Sequence, residues 1–202
     1  MEHIKGILMD FGGVVAEEGF REGLKAIGRS NGLSPDDFFK KATEIVYSSG
    51  YVTGEAEESA YWAALRQQGG IAGLDQDLRR EILSRFVLRR WMLDLVRQLR
   101  AKGYTVALLS DQTNWLDELD KNHPFFHEFD GVFNSYHLGK SKKDASVFDD
   151  VAKALGLLPE EILFIDDNES HVDRALSKGL AAIVYRGKNQ LIEHLKSMSL
   201  LS

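Results

Sequence analysis

The chain has 202 residues, 44% of them hydrophobic and 28% charged, no cysteine, and a formal net charge of −6. Such a length holds one α/β core of about 130 residues with a small insert, and the missing cysteine excludes disulfides, thiolate metal sites and a thiol nucleophile. The acidic balance argues against a nucleic-acid partner, and no run nears the roughly 18 apolar residues of a membrane span.

The first segment, Met1-Glu2-His3-Ile4-Lys5-Gly6, lacks the apolar stretch of a signal peptide, so the expected compartment is the cytoplasm. Ile7-Leu8-Met9 then reads as a buried strand that ends on Asp10, with Phe11-Gly12-Gly13 as a glycine-rich turn. That pattern lifts a carboxylate to the carboxyl edge of a sheet, where open α/β sheets bind ligands. Residues 16–90 read as helices only. Ser34-Pro35-Asp36-Asp37 offers an N-cap, a proline at the first helical position and acids in the first turn, followed by Phe38, Phe39, Ala42, Ile45 and Val46 at helical spacing. Tyr61, Trp62 and Leu65 mark a second helix of this block, and Leu78, Ile82, Leu83, Phe86 and Val87 a third.

From about residue 91 strands and helices alternate. A helix over about 92–101 precedes the strand Val106-Ala107-Leu108-Leu109, which leads into Ser110-Asp111. A short strand at Gly131-Val132-Phe133 is followed by a helix over about 145–155. Ile162-Leu163-Phe164-Ile165 leads into Asp166-Asp167, then come a helix over about 169–178 and a strand over 180–185. Strands separated by helices imply parallel pairing.

Asp10, Ser110, Asp166 and Asp167 thus fall at carboxyl ends of strands, and a central first strand brings them together. Three carboxylates in one crevice raise each other's pKa unless a cation sits among them, and hard oxygen ligands suit Mg²⁺. Gly139-Lys140-Ser141-Lys142-Lys143, just before a helix, supplies positive charge for an anionic substrate. Taken singly, each aspartate reads as a turn or cap residue and the lysines as a solvated charge run; their order and spacing carry the functional reading. His123 and His127 have zinc-like spacing but no third ligand, and Trp62, Trp91 and Trp115 fall in helical stripes that read as core.

The ordered set resembles the haloacid dehalogenase-like hydrolase superfamily over nearly the whole chain. The resemblance implies a Rossmann-like three-layer α/β core of residues 1–15 and 91–202, a parallel sheet of order 3-2-1-4-5, and a helical C1-type cap of residues 16–90. It implies that Asp10 is the nucleophile, that Ser110 binds phosphate, and that Asp166 and Asp167 hold the metal with Asp10 and the carbonyl of Gly12. Counting from Gly139 and back from Phe148 both select Lys142 as the family's lysine, with Lys143 where proline commonly stands. Tyr51-Val52-Thr53-Gly54-Glu55 followed by Trp62 resembles a small-cap branch that acts on sugar phosphates. The implied function is Mg²⁺-dependent hydrolysis of a small phosphorylated metabolite by a monomer or homodimer.

Two positions depart from the family pattern. Gly12 stands where the second aspartate protonates the leaving alcohol, so turnover is slow or another acid, of which Glu17, Glu18 and Asp111 are nearest, takes over. Asp111, a residue expected at the substrate, stands where asparagine is usual and adds negative charge near the phosphate. Two alternatives remain: a 2-haloacid dehalogenase, against which the acidic pair speaks, and a phospho-ligand-binding or regulatory protein with little turnover. His171 reads either as a neighbour of the acidic pair or as merely exposed.

Overall fold

The computed structural model of the chain describes residues 4–201; residues 1–3 and 202, the ends of the expected core, lie outside them. Five parallel strands form one sheet in the order β3-β2-β1-β4-β5. They are β1 (Gly6–Met9), β2 (Thr105–Ser110), β3 (Gly131–Asn134), β4 (Ile162–Asp166) and β5 (Ala181–Val184). The middle strands are apolar at nearly every position because both sheet faces are covered. Successive side chains go to opposite faces: Ile7, Met9, Val106, Leu108, Leu163 and Ile165 join one core cluster, and Leu8, Ala107, Leu109, Ile162 and Phe164 join the other. The second cluster is completed by Val147, Phe148 and Val151 of α8 (Ser146–Leu155), and the first by Met92, Leu95 and Leu99 of α5 (Arg90–Ala101) and by Leu191 and Leu195 of α10 (Lys188–Ser197).

Between β1 and α5 lie α1 (Gly19–Ser30), α2 (Pro35–Ser48), α3 (Glu58–Gly69) and α4 (Asp75–Leu83). Helix α2 starts as its sequence dictates: the Ser34 side chain accepts the Asp37 N–H and Pro35 opens the first turn. Helix α1 carries three glycines, which disfavour a helix on propensity alone. Its packing explains them, since a Cβ at Gly23 would lie 2.6 Å from the Ile82 Cα of α4. The two ends of this helical stretch meet: Ala16 pairs with Leu88 in an antiparallel bridge. The Glu17 N–H donates to the Val87 carbonyl (2.9 Å) and the Arg89 N–H to the Val15 carbonyl (2.9 Å). The Arg89 guanidinium also donates to the carbonyls of Gly13 and Val14 and pairs with Glu17.

The remaining helices are α6 (Trp115–Asn122), α7 (Ser135–Leu138) and α9 (Glu169–Ser177). Trp62 and Trp115 stack at 5.7 Å in the interior, as their helical spacing predicts. No helix among the described residues is long and apolar enough to cross a membrane.

Candidate active site

Sheet register places the acidic residues side by side. Met9 pairs with Ile165 and with Leu108, so Asp10 and Asp166 leave adjacent strands at the same level and Ser110 leaves the strand on the other side. Asp10 is fixed at its root, because its own Oδ1 accepts the Phe11 N–H (2.7 Å) and its N–H donates to the Ile165 carbonyl (2.9 Å). Asp166 accepts the Asn168 N–H at Oδ1 (2.8 Å), while its Oδ2 lies 3.1 Å from His171 Nδ1. Helix α9 is capped by the Asn168 side chain rather than by the acidic pair, which leaves Asp167 facing the crevice.

Lys142 enters from the loop before α8. Its side chain is 1% exposed, and its ammonium sits 2.8 Å from Asp10 Oδ1 and 2.6 Å from Asp166 Oδ2. Lys140 goes elsewhere, pairing with Asp150 and donating to Ser146 Oγ at 2.9 Å. The backbone that carries Lys142 is tied down by Asp111, whose Oδ1 accepts the Lys142 N–H (2.8 Å). The other Asp111 oxygen accepts the Tyr47 hydroxyl of α2 (2.9 Å). Asp111 lines the crevice, but both its oxygens are engaged, so its charge serves to join α2 to the lysine loop.

One oxygen from each of Asp10, Asp166 and Asp167 lies within 4.8 Å of the others. Three carboxylates against one buried ammonium leave the cluster negative, and hard oxygen donors at this spacing fit a divalent cation such as Mg²⁺. Gly13 makes the spacing possible: its φ is +82°, and a Cβ there would lie 2.4 Å from Asp167 Oδ2. The electrostatics follow from this crowding. Burial pushes the Asp10 carboxyl up, against Lys142 and with the help of Asp166 and Asp167. Burial also acts on Asp166, but Lys142 and His171 outweigh it and hold that carboxyl below the usual range. Lys142 resists burial because Asp10 and Asp166 flank it, and its pKa is raised. Asp167 is raised by burial and then by Asp166.

The crevice opens into a pocket of about 210 Å³. Asp10, Gly12, Ser110, Lys142 and Asp167 line its floor; Phe20, Arg21, Phe39, Thr43 and Tyr47 of α1 and α2 line the opposite wall. Every site residue expected from the sequence therefore falls in or directly beside one crevice. The wall residues carry no motif, since only the packing of α1 and α2 brings them there. His171 belongs with the acidic pair and lines the crevice, whereas His123 and His127 are exposed and take no part in the crevice lining.

The three acids near Gly12 separate in space. Glu17 turns outward to Arg89, with a side chain 55% exposed. Asp111 is bound as described. Glu18 turns inward and lines the pocket; its Oε1 accepts the Arg21 N–H (3.3 Å), and burial, then Asp167, push its carboxyl up. Gly12 does not have the positive φ of Gly13. A Cβ on Gly12 would lie 3.5 Å from Phe86 Cε1, 3.6 Å from Glu18 Oε2 and 3.7 Å from Gln112 Nε2, all ordinary contacts.

A family model described as haloacid dehalogenase-like hydrolase matches residues 4–175. The chain belongs to the haloacid dehalogenase-like hydrolases. Among curated relatives, this hydrolase is 27% identical over 188 residues to the D-ribitol-5-phosphate phosphatase of Bacteroides thetaiotaomicron, covering 84% of this chain and 85% of that one. It is 26% identical over 119 residues to the bifunctional epoxide hydrolase 2 of Rattus norvegicus, and spans only 21% of that protein's length. Among solved structures, the magnesium complex of the HAD family enzyme bt-2542 from Bacteroides thetaiotaomicron superposes with a TM-score of 0.74 at 26% identity, over 94% of this chain and 98% of that one.

Proposed function

We propose that this hydrolase is a Mg²⁺-dependent phosphatase of small, sugar-phosphate-like monoesters. The observation that carries the reading is the buried Lys142 ammonium between Asp10 and Asp166, beside a three-carboxylate cluster that remains negative. In this reading Asp10, Asp166, Asp167 and the Gly12 carbonyl hold the metal, which when bound neutralises phosphoryl charge and orients the ester. The remaining Asp10 oxygen attacks phosphorus, the phosphorus–alkoxide bond breaks, and an aspartyl-phosphate forms. Ser110 and Lys142 contact the phosphoryl oxygens and stabilise the charge that gathers on them. Water then cleaves the acyl phosphate and frees Asp10.

In the same reading residues 16–90 act as a cap over a core of residues 1–15 and 91–202. The wall from α1 and α2 selects the leaving group, and the small pocket suits a compact alcohol. Likeness to a ribitol-5-phosphate phosphatase over most of both chains supports a polyol or sugar phosphate as the substrate class. A net charge of −6 fits a metabolite partner better than a nucleic acid.

The test is phosphate release from a panel of aryl and sugar phosphates, with magnesium and with chelator. Turnover that requires magnesium and is abolished by Asp10→Asn is expected. Halide release from a 2-haloacid without metal, or tight phosphate binding with no turnover of any ester, refutes the assignment.

A further inference from the structure

Gly12 leaves the crevice without the acid that ordinarily serves the leaving group, yet the Glu18 carboxylate lies against that position. From the geometry we infer that Glu18 is the proton donor and acceptor of this active site, reaching from the start of α1 into the place a side chain on Gly12 would fill. The inference rests on the phosphatase reading above. Its basis is position: Glu18 Oε2 lies 3.6 Å from the point a Gly12 Cβ would occupy, so a carboxyl attached there and the Glu18 carboxyl would contend for one region. Glu18 lines the same pocket as Asp10, Ser110 and Lys142.

Elimination among the neighbours leads to the same residue. Glu17 has both oxygens on Arg89, at 3.0 and 2.8 Å. Asp111 has both oxygens engaged by Tyr47 and the Lys142 N–H. Gln112, also next to Gly12, carries an amide that cannot ionise. His171 is held against Asp166. Glu18 uses Oε1 to accept the Arg21 N–H at the start of α1, which aims the carboxyl and leaves Oε2 toward the crevice.

The proton balance is complete. As Asp10 attacks and the phosphorus–oxygen bond to the substrate breaks, the Glu18 carboxyl gives its proton to the departing alkoxide, which leaves as an alcohol. The resulting Glu18 carboxylate then takes a proton from the water that attacks the aspartyl-phosphate. Asp10 is released as a carboxylate, phosphate departs, and Glu18 is protonated again.

The test is Glu18→Gln, which keeps an oxygen for the Arg21 N–H and so keeps the helix start. For an alkyl phosphate such as a sugar-alcohol phosphate, kcat/KM should fall about 10²–10⁴-fold. For an aryl phosphate, whose leaving group needs no proton, kcat/KM should change only a few-fold. Its kcat should drop with a burst of one equivalent of phenolate, because the second step still lacks its base. Adding Gly12→Asp to Glu18→Ser, which keeps a capping oxygen and vacates the region the two carboxyls would share, should give alkyl-phosphate hydrolysis well above that of Glu18→Ser alone, since Gly12 is free of positive φ and has room for a Cβ. Equal losses on both ester types, or no loss on either, overturn the role of Glu18. Absence of turnover by the unaltered protein on every ester instead overturns the phosphatase reading beneath it.

Discussion

Replacing Lys142 by methionine leaves Asp10 and Asp166 facing each other in the interior with no cation between them. The lysine is 1% exposed and its ammonium lies within 2.8 Å of both carboxylates. Breaking a buried charge pair by removing one partner costs about 3–5 kcal/mol, because the remaining charge keeps its desolvation penalty without compensation. For a chain of this size each kcal/mol moves the melting temperature by about 2–4 °C, so Lys142→Met should melt about 6–20 °C lower. Lys140→Met is the matched control. Its pair with Asp150 lies at the surface, where solvent screening leaves such pairs worth little, and the shift should be a small fraction of that for Lys142→Met. Circular dichroism melts in chelator measure both without interference from metal. Adding Asp166→Asn to Lys142→Met should recover part of the loss, since one unpaired charge disappears. Activity should follow the same order, with Lys142→Ala far more damaging than Lys140→Ala. Equal small shifts for the two lysines would refute the buried triad and return both to a solvated charge run.

Two further outcomes are expected. Magnesium at about 100 times its dissociation constant should stabilise the protein by about 2.7 kcal/mol, a rise of about 5–11 °C, and Asp167→Ala should remove that gain. An unchanged magnesium response in the variant would show that the metal sits elsewhere. Burial opposes ionisation of Asp130, but Arg100 and the Val106 N–H hold its carboxyl below the ordinary value of about 3.9. A depressed folded-state pKa contributes stability above that ordinary value and loses it as pH falls through the folded one. The melting-temperature gap between the protein and Asp130→Asn should therefore be constant near neutrality and begin to close only as pH falls below about 4; a gap that persists unchanged at low pH contradicts this.

The core was legible because its strands are apolar on both faces and each of the three that matter ends on a polar residue. Asp10, Ser110 and Asp166 follow from that rule alone, whereas the sheet order is legible only through the family resemblance. Lys142 was separable from Lys140 because its spacing to Phe148 fits one motif; in the folded chain Phe148 packs 5.1 Å from Phe164, whose ring lies 5.7 Å from the Lys142 ammonium. Other features left no local trace. Helix α1 is hidden by glycines that its neighbours require, Gly23 against Ile82 of α4, Gly28 against Phe38 of α2 and Gly19 against Phe86, and α10 lies beyond Tyr185, where the predicted elements end. Tyr47 and Asp111 are 64 positions apart, and only the packing of α2 joins them. Glu17 and Glu18 are indistinguishable as letters; one helix start turns the first outward to Arg89 and the second inward.

The bridge between Ala16 and Leu88 has a consequence for how such a chain can diverge. Because the two ends of the helical stretch already lie side by side, the sheet spans the same gap whatever joins them, and closure entropy grows only slowly with the length of the join. The stretch can thus change in length or content without parting the strand ends that carry Asp10, Ser110 and Asp166. Glu18 lies on the exchangeable side of that seam. A graft that brought a new wall to the pocket would carry away the Glu18 carboxylate beside Gly12, so selectivity and proton transfer are inherited together while the nucleophile is inherited apart.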